Sequence, residues 1–332
     1  MNRTYVIAEA GVNHNGNLSI AKELIDEAVH AGADAVKFQF FKAEKLVTKS
    51  AKKADYQIAG SKNTKTQFDM LQQLELDEES FVILKDYCDE KGIDFLTSAF
   101  DIEGIEFLKS LGMKYFKIPS GEITNLPYLR AIANTGINSI LSTGMSTYSD
   151  IENALSILQV KDKTKVTVLQ CNTDYPTRMG DVNLKAMNSI KKAFNVRVGY
   201  SDHTNGIEIP IAAVALGATV IEKHFTLDKT LPGPDHKASL EPNELAEMIS
   251  AIRNIEMALG DGVKRLTDSE RKNLPVVRKS IVASKNIDIG EYFTEDNIEV
   301  KRPGTGLSPM HWDNIIGKKS KKAFKEDEVI EL

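Results

Sequence analysis

Short apolar runs alternate along most of the chain with stretches of helical period. The first run, "YVIAEAG" from Tyr5, is followed by "LSIAKELIDEAVHAGA". In that stretch Leu18, Ala21, Leu24, Ile25, Ala28 and Val29 recur at the spacing of one helix face. The later runs are "DAVKFQF", "DFLTSAF", "KYFKIPS", "NSILSTG", "KVTVLQC", "VRVGYS" and "TVIEKHF". Helical segments separate them, among them Glu78 to Lys91, "SDIENALSIL" and "EIPIAAVALGA", and "PNELAEMISAIRNIEMALG" follows the last. The glycines of "AGAD" and "LGAT" stop helices just before strands. Eight strand–helix units within roughly 260 residues predict an α/β fold of the (β/α)8 TIM-barrel type. A doubly wound sheet shares the alternation, but no Gly-rich dinucleotide turn follows the first strand.

Two segments break the alternation. Lys42 to about Gln67 is polar and lysine-rich, long for a loop in a compact domain, and is expected to be functional. Beyond Gly262 the pattern changes again. The expected organisation is a barrel over 1–262, a charged linker over 263–277 and a small β-rich domain over 278–332. In the tail "SIVASKNI" reads as a strand, "DIGEYF" carries a turn and "EVKRPGTGLSP" reads as a Pro/Gly loop. A tail of that size cannot build a large core, so it is expected to dock on its own barrel or on a partner chain.

Composition narrows the class. The 332 residues are 42% hydrophobic and 27% charged, with acids and bases interspersed and a net charge of −5. That balance argues against nucleic acid as the main partner. Cys88 and Cys171 are far apart and form no disulfide framework, which fits a reducing compartment. The N-terminal stretch has no signal-like apolar region, and no segment is long and apolar enough to span a bilayer. A cytoplasmic protein without a membrane partner is the expectation.

In a barrel of this type the chemistry lies where strands end. Strand one ends with Glu9, strand two with Lys37 and Gln39, and strand three with Thr97 and Ser98. Strand four carries Lys117, then Ser120 and Glu122. Strand five ends in Ser142 and Thr143, and strand six in Cys171, Asn172 and Thr173. Strand seven ends in Ser201, Asp202 and His203, and strand eight carries Glu222, Lys223 and His224. Two lysines, several acids and two histidines in one ring point to an active site. His203 and His224 end adjacent strands and can reach one divalent cation; each can equally be a satisfied core imidazole. Lys37 and Lys117 with the serines suit a phosphate or carboxylate, or form a structural ion network with Glu9 and Glu122. Asp235, in the stiff loop "TLPGPDHKASLEP", suits sugar hydroxyls or sits in an exposed turn. Strand alternation turns Asp202 away from Ser201 and His203, toward a supporting hydrogen bond.

The ordered motifs "IAEAGVNHNG", "VKFQ", "FKIPSGEITNLP", "ILSTGM", "GYSDHT", "IEKHFTLD", "PGPDHKAS" and "VKRPGTG" resemble the sialic acid (nonulosonic acid) synthase family. The tail resembles that family's antifreeze-like (SAF) domain. The resemblance implies condensation of phosphoenolpyruvate with an N-acetylmannosamine-type sugar, with phosphate release, by a domain-swapped homodimer. It implies His203 and His224 as ligands of Mn²⁺ or Mg²⁺. It implies Lys37, Ser98, Lys117, Ser120, Thr173 and Ser201 at the phosphoenolpyruvate site, and Glu9, Gln39, Glu122, Tyr175 and Asp235 on the sugar side, with Glu9 or Glu122 as the proton-handling acid. Asn63 falls near a further sugar-binding position, and Arg302 of "KRPG" matches an arginine that reaches the acetamido group from the partner chain. The stretches "QCNTDYP" and "AGSKNTKTQFDM" depart from the sialic acid enzymes at the sugar pocket. The overall pattern is similar to bacterial legionaminic acid synthases, which use 2,4-diacetamido-2,4,6-trideoxymannose. The other readings are an N-acetylneuraminate synthase, a pyruvate-dependent aldolase with a strand-end lysine such as Lys117, and a non-catalytic carbohydrate- or ice-binding protein.

Overall fold

The eight runs read as strands all form strands in the computed structural model, which describes residues 3–60, 64–158 and 165–331. They are β1 (Tyr5–Gly11), β2 (Ala35–Phe40), β3 (Asp94–Ala99), β4 (Tyr115–Ile118), β5 (Asn138–Ser142), β6 (Val166–Cys171), β7 (Arg197–Asp202) and β8 (Val220–His224). Their sheet order is β3-β2-β1-β8-β7-β6-β5-β4, and each ladder is parallel. β3 and β4 lie side by side at the seam. No ladder joins them among the described residues, so the barrel is nearly closed.

Each strand is followed by at least one helix whose apolar stripe covers the outside of the ring. In Leu18–His30 the side chain of Asn17 accepts from the backbone N–H groups of Ser19 and Ile20, satisfying two of the donors a helix start leaves open. Ala21, Leu24, Ile25 and Ala28 are buried against the sheet. Val29, expected on the same stripe, is 36% exposed because it falls at the stripe's edge. Glu78–Lys91 is capped by Asp77 and ends at Gly92 with φ 74°, a left-handed stop that glycine adopts without strain.

Strand alternation sorts side chains into an outer and an inner set. Val6, Ala8, Val36, Phe38, Val168, Val198 and Ile221 point outward into the large sheet–helix core. Ile7, Ala35, Leu96, Ile140, Leu169 and Val220 form a separate apolar layer inside the barrel, with Tyr5 and Tyr115 packed against it. Gly199 belongs to that inner parity. A Cβ there would stand 2.2 Å from the carbonyl oxygen of Val220 and 2.7 Å from Leu169 Cδ2, so the strands can approach only around a glycine. The next inward positions toward the C-terminal ends are Glu9, Lys37, Ser98, Cys171, Ser201 and Glu222. The apolar layer is therefore the floor on which the polar ring stands.

The lysine-rich stretch expected as a loop holds two short helices, Ala43–Leu46 and Asp55–Gly60. Leu46, Val47, Met70, Leu71 and Leu74 belong to a satellite apolar cluster with Val12 and Phe41. The polar composition hid these few apolar anchors.

The chain divides into two compact units, Met1–Gly260 and Asp261–Leu332. The second carries β9 (Ser280–Ala283) and β10 (Ile298–Lys301) as an antiparallel pair. Its core is Ile281, Ala283, Ile287, Phe293, Ile298, Ile315, Phe324 and Ile330. β10 takes in the start of the stretch read as a Pro/Gly loop. The segment read as a linker contains the one-turn helices Asp268–Arg271 and Leu274–Val277.

Candidate active site

The parity that places the apolar floor also brings the polar strand ends into one cavity of about 450 Å³. Register sets the neighbours: Glu9 pairs with Lys37 on one side and with His224 on the other, and Ser201 pairs with Glu222. Lys37 Nζ lies 2.7 Å from Glu9 Oε2 and 3.9 Å from Glu222 Oε2. It also donates to Ser98 Oγ at 3.4 Å. Lys117 Nζ lies 2.7 Å from Glu222 Oε1, the same oxygen that accepts from Ser201 Oγ at 2.9 Å. Gln39 Nε2 donates to Glu9 Oε1 at 3.1 Å. Two lysines and two carboxylates, all buried, thus alternate around the mouth.

Their charges are set by this arrangement. Burial pushes the Glu222 carboxyl up, but Lys117, Lys37 and the hydrogen bonds outweigh it and bring its pKa down to about 2. Burial dominates for Glu9, whose pKa is raised despite the pull of Lys37. Burial works against the charge on Lys37, yet Glu222 and Glu9 hold its pKa above the ordinary value. Asp235 is raised to about 7 by burial and then by the charge of Glu9.

Opposite the lysines stand His203 and His224, with ring centroids 5.3 Å apart. Nδ1 of His203 is hydrogen-bonded to the carbonyl oxygen of Asn172 at 2.5 Å. That bond orients the ring and leaves Nε2 for another partner. Nδ1 of His224 is buried without a hydrogen-bond partner and lies 3.9 Å from Asp235 Oδ2. Burial keeps both imidazoles neutral: His203 falls to about 4, and His224 falls well below its usual value, with His203 adding to the shift. Neutral imidazoles, one with an orphaned buried nitrogen, suit a divalent cation. Among the described residues no third His, Cys, Asp or Glu completes a metal-type cluster with them.

Tyr175 lies over the histidines, its ring centroid 4.1 Å from that of His203 and 5.6 Å from that of His224. Tyr56 stacks on it at 4.9 Å. Ser120 Oγ accepts from the Gly144 N–H at 2.9 Å and lies 3.2 Å from Cys171 Sγ. A Cβ on Gly144 would stand 2.5 Å from Thr173 Cγ2 and 2.9 Å from Ser120 Oγ, so a glycine here keeps Ser120 and Thr173 close.

Of the residues singled out in the sequence, Glu9, Lys37, Gln39, Ser98, Lys117, Ser120, Thr173, Tyr175, Ser201, His203, His224 and Asp235 line this cavity. Glu122 does not line it. It lies in the turn Ser120–Glu122, where its carboxylate accepts from Asn125 Nδ2 at 2.7 Å. Asn63 lies outside the described residues. Arg302 belongs to the second unit, where its Nε donates to the carbonyl of Val277 at 3.0 Å. Asp202 turns to the opposite strand face, as alternation predicts, and pairs with Lys223. Sequence reading gave Glu222 no role, although the structure makes it the hub of the lysine pair; its place two residues before His224, on the same strand face, was the available signal. Tyr56 and Gln57 also line the cavity and had no signal beyond their place in an unusually long polar segment.

Residues 24–264 match the NeuB family, and residues 278–332 match the SAF domain. The chain belongs to the NeuB family. It is 52% identical over 332 residues to the N,N'-diacetyllegionaminic acid synthase of Campylobacter jejuni subsp. jejuni serotype O:2, covering 99% of both chains. It is 45% identical to the enzyme of the same name from Legionella pneumophila, with 94% of this chain and 89% of that one covered. Among solved structures, the N-acetylneuraminic acid synthetase of Leptospira borgpetersenii, in complex with citrate, superposes with a TM-score of 0.73 at 37% identity. That match covers 82% of this chain and 90% of the other. The NeuB match falls almost entirely on the unit that holds the cavity, running a few residues past its end, and the SAF match lies within the second unit.

Proposed function

We propose that this NeuB-family chain is a nonulosonic acid synthase that condenses phosphoenolpyruvate with 2,4-diacetamido-2,4,6-trideoxymannose, giving N,N'-diacetyllegionaminic acid and phosphate. It is a carbon–carbon bond-forming transferase of carbohydrate biosynthesis. The observation that carries the reading is the cavity in which two buried lysines and a neutral histidine pair share one mouth, in a chain 52% identical over its length to a synthase of that product.

The chemistry follows from the residues. Lys37 and Lys117 bind the phosphate and carboxylate of phosphoenolpyruvate, exchanging Glu9 and Glu222 for the substrate's charges. Ser98, Ser120, Thr173 and Ser201 supply hydrogen bonds to the same groups. Gln39, Tyr175 and Asp235 hold the open-chain sugar so that its aldehyde carbon faces the terminal carbon of phosphoenolpyruvate. His203 and His224 would hold a divalent cation, Mn²⁺ or Mg²⁺, which would supply Lewis-acid polarisation of the aldehyde oxygen. The double-bond electrons of phosphoenolpyruvate form the new carbon–carbon bond, and the aldehyde oxygen gains a proton. Water adds at the carbon that bears the phosphate. The carbon–oxygen bond to that group then breaks, leaving a 2-keto acid and free phosphate. Glu9 stands on the cavity wall with its pKa raised by burial and is the acid assigned here to proton transfer; Glu122 is not on the cavity wall. Arg302, supplied by a second copy in a domain-swapped homodimer, contacts the sugar's acetamido group. A cytoplasmic setting fits the two free cysteines, and no described helix is long and apolar enough to cross a membrane.

The test is a phosphate-release assay with phosphoenolpyruvate, Mn²⁺ and either N-acetylmannosamine or the 2,4-diacetamido-6-deoxy sugar. Release with the second sugar and a nine-carbon 2-keto acid product support the reading. Borohydride trapping of a pyruvate adduct on Lys117, without phosphate release, would replace it with a Schiff-base aldolase.

A further inference from the structure

The cavity has two chemically distinct sides. Its floor is the charged ring around Lys37, Lys117 and Glu222, held by the strand ends. One wall carries an apolar patch: Leu46, Val47, Met70, Leu71, Leu74 and Phe100 all line the cavity, beside the polar Tyr56, Gln57 and Gln67. Five of the apolar residues come from the stretch between β2 and β3 that breaks the barrel's alternation, and all six belong to or pack against the satellite cluster. Met70, Leu71 and Leu74 are buried, whereas Leu46 and Val47 are only partly so. A barrel needs no apolar surface facing the mouth of its charged site; the ring's own ligands are a phosphate, a carboxylate and hydroxyls. This wall calls for an apolar part of the substrate.

We infer that this wall selects the sugar, by burying the methyl groups that a 2,4-diacetamido-6-deoxy sugar carries and N-acetylmannosamine lacks. The inference rests on the function proposed above and names the part of the cavity that sets its specificity. The two sugars differ at two positions. The diacetamido sugar has an acetamido group at C4 and a methyl at C6, and N-acetylmannosamine has hydroxyls in both places. Against Leu46 and Val47 the first buries two methyl groups, while the second sets two hydroxyls against a surface that offers no hydrogen bond. An apolar pocket discriminates on such differences by roughly 10- to 200-fold per group. The segment is an insertion between strand and helix, so its side chains can be exchanged without altering the charged ring that performs the condensation.

The experiment measures kcat/KM for both sugars at saturating phosphoenolpyruvate and Mn²⁺, in the full-length protein and in three variants. The ratio of the two values is independent of the fraction of folded enzyme, so a partly unfolded variant still reports. The wild-type ratio is expected to favour the diacetamido sugar by at least about tenfold. Val47→Thr, which keeps the shape and adds a hydroxyl, and Leu46→Gln are each expected to lower that ratio about three- to tenfold. Phe41→Leu thins the cluster from a position that does not line the cavity and is expected to leave the ratio within about twofold. A ratio that stays within twofold in both wall variants overturns the inference. So does a ratio that shifts as far in Phe41→Leu as in the wall variants, or a wild-type preference for N-acetylmannosamine. Phosphate release with neither sugar overturns the proposed function itself, and the inference with it.

Discussion

Lys223 Nζ lies 2.5 Å from Asp202 Oδ2, and both side chains are fully buried on the face of β7 and β8 that turns away from the cavity. Asp202 also accepts from the backbone N–H and hydroxyl of Thr204, and Lys223 donates to the Thr204 carbonyl. The pair therefore ties together two strand ends whose other face carries Ser201, His203, Glu222 and His224. A buried charge deprived of its partner costs far more than the pair contributes. Lys223→Met is expected to destabilise by about 3–5 kcal/mol, and Asp202→Asn with Lys223→Met by clearly less than the sum of the single changes. Urea denaturation of the four proteins in the cycle measures this. Additivity within about 0.5 kcal/mol would show that the pair is not coupled.

Glu222 serves Lys117, Lys37 and Ser201 at once. Glu222→Gln keeps the shape but leaves two buried ammonium groups with one fewer counter-charge. A loss of about 3–5 kcal/mol at pH 7 is expected in the absence of phosphoenolpyruvate. Saturating phosphoenolpyruvate should recover part of it, since the ligand's charges replace the missing carboxylate. Thermal unfolding with and without phosphoenolpyruvate tests this, and an equal ligand-induced shift in wild type and variant counts against the hub role.

His14 is buried, with Nδ1 accepting from the Gly16 N–H at 3.0 Å and Nε2 without a partner. Burial, and then the neighbouring His236, bring its pKa to about 4 from a usual 6.5. The unfolded chain binds a proton at this site below about pH 6.5 and the folded chain only below about pH 4. Its contribution to stability is complete above pH 6.5 and is lost as pH falls toward 4, with a slope of up to about 1.4 kcal/mol per pH unit. Denaturation of wild type and His14→Gln at pH 7, 6 and 5 should show the variant losing less stability on acidification. Parallel pH dependences would remove His14 from the account.

The proposed cation site at His203 and His224 makes turnover depend on a divalent ion. Chelation is expected to lower turnover by at least about a hundredfold, with recovery on adding Mn²⁺. His203→Ala should not recover, and its Mn²⁺ titration followed by electron paramagnetic resonance should show the site lost while the far-ultraviolet spectrum is unchanged. Full turnover after exhaustive chelation excludes the metal role.

Much of the barrel was legible from the hydrophobic pattern because strand and helix periods are local properties of the chain. All eight runs became strands, and the inward parity of Glu9, Lys37, Ser98, Ser201 and His224 was readable from alternation. The segment from Lys42 to Gln67 was not, because its few apolar side chains find one another only through Val12, Phe41 and the turn after the helix Gln67–Gln72.

The one-dimensional pattern determined the number of strands, the end of the barrel that carries the chemistry and the residue types gathered there. Tertiary structure alone decided which charges meet: that Glu222 rather than Glu122 receives Lys117, that Tyr175 covers the histidines, and that an apolar patch faces a charged floor. The physical reason is that those contacts depend on register and closure between strands distant in sequence, Lys117 and Glu222 being 105 residues apart. The free energy of a buried charge depends on its neighbours in space, and no window along the chain contains them.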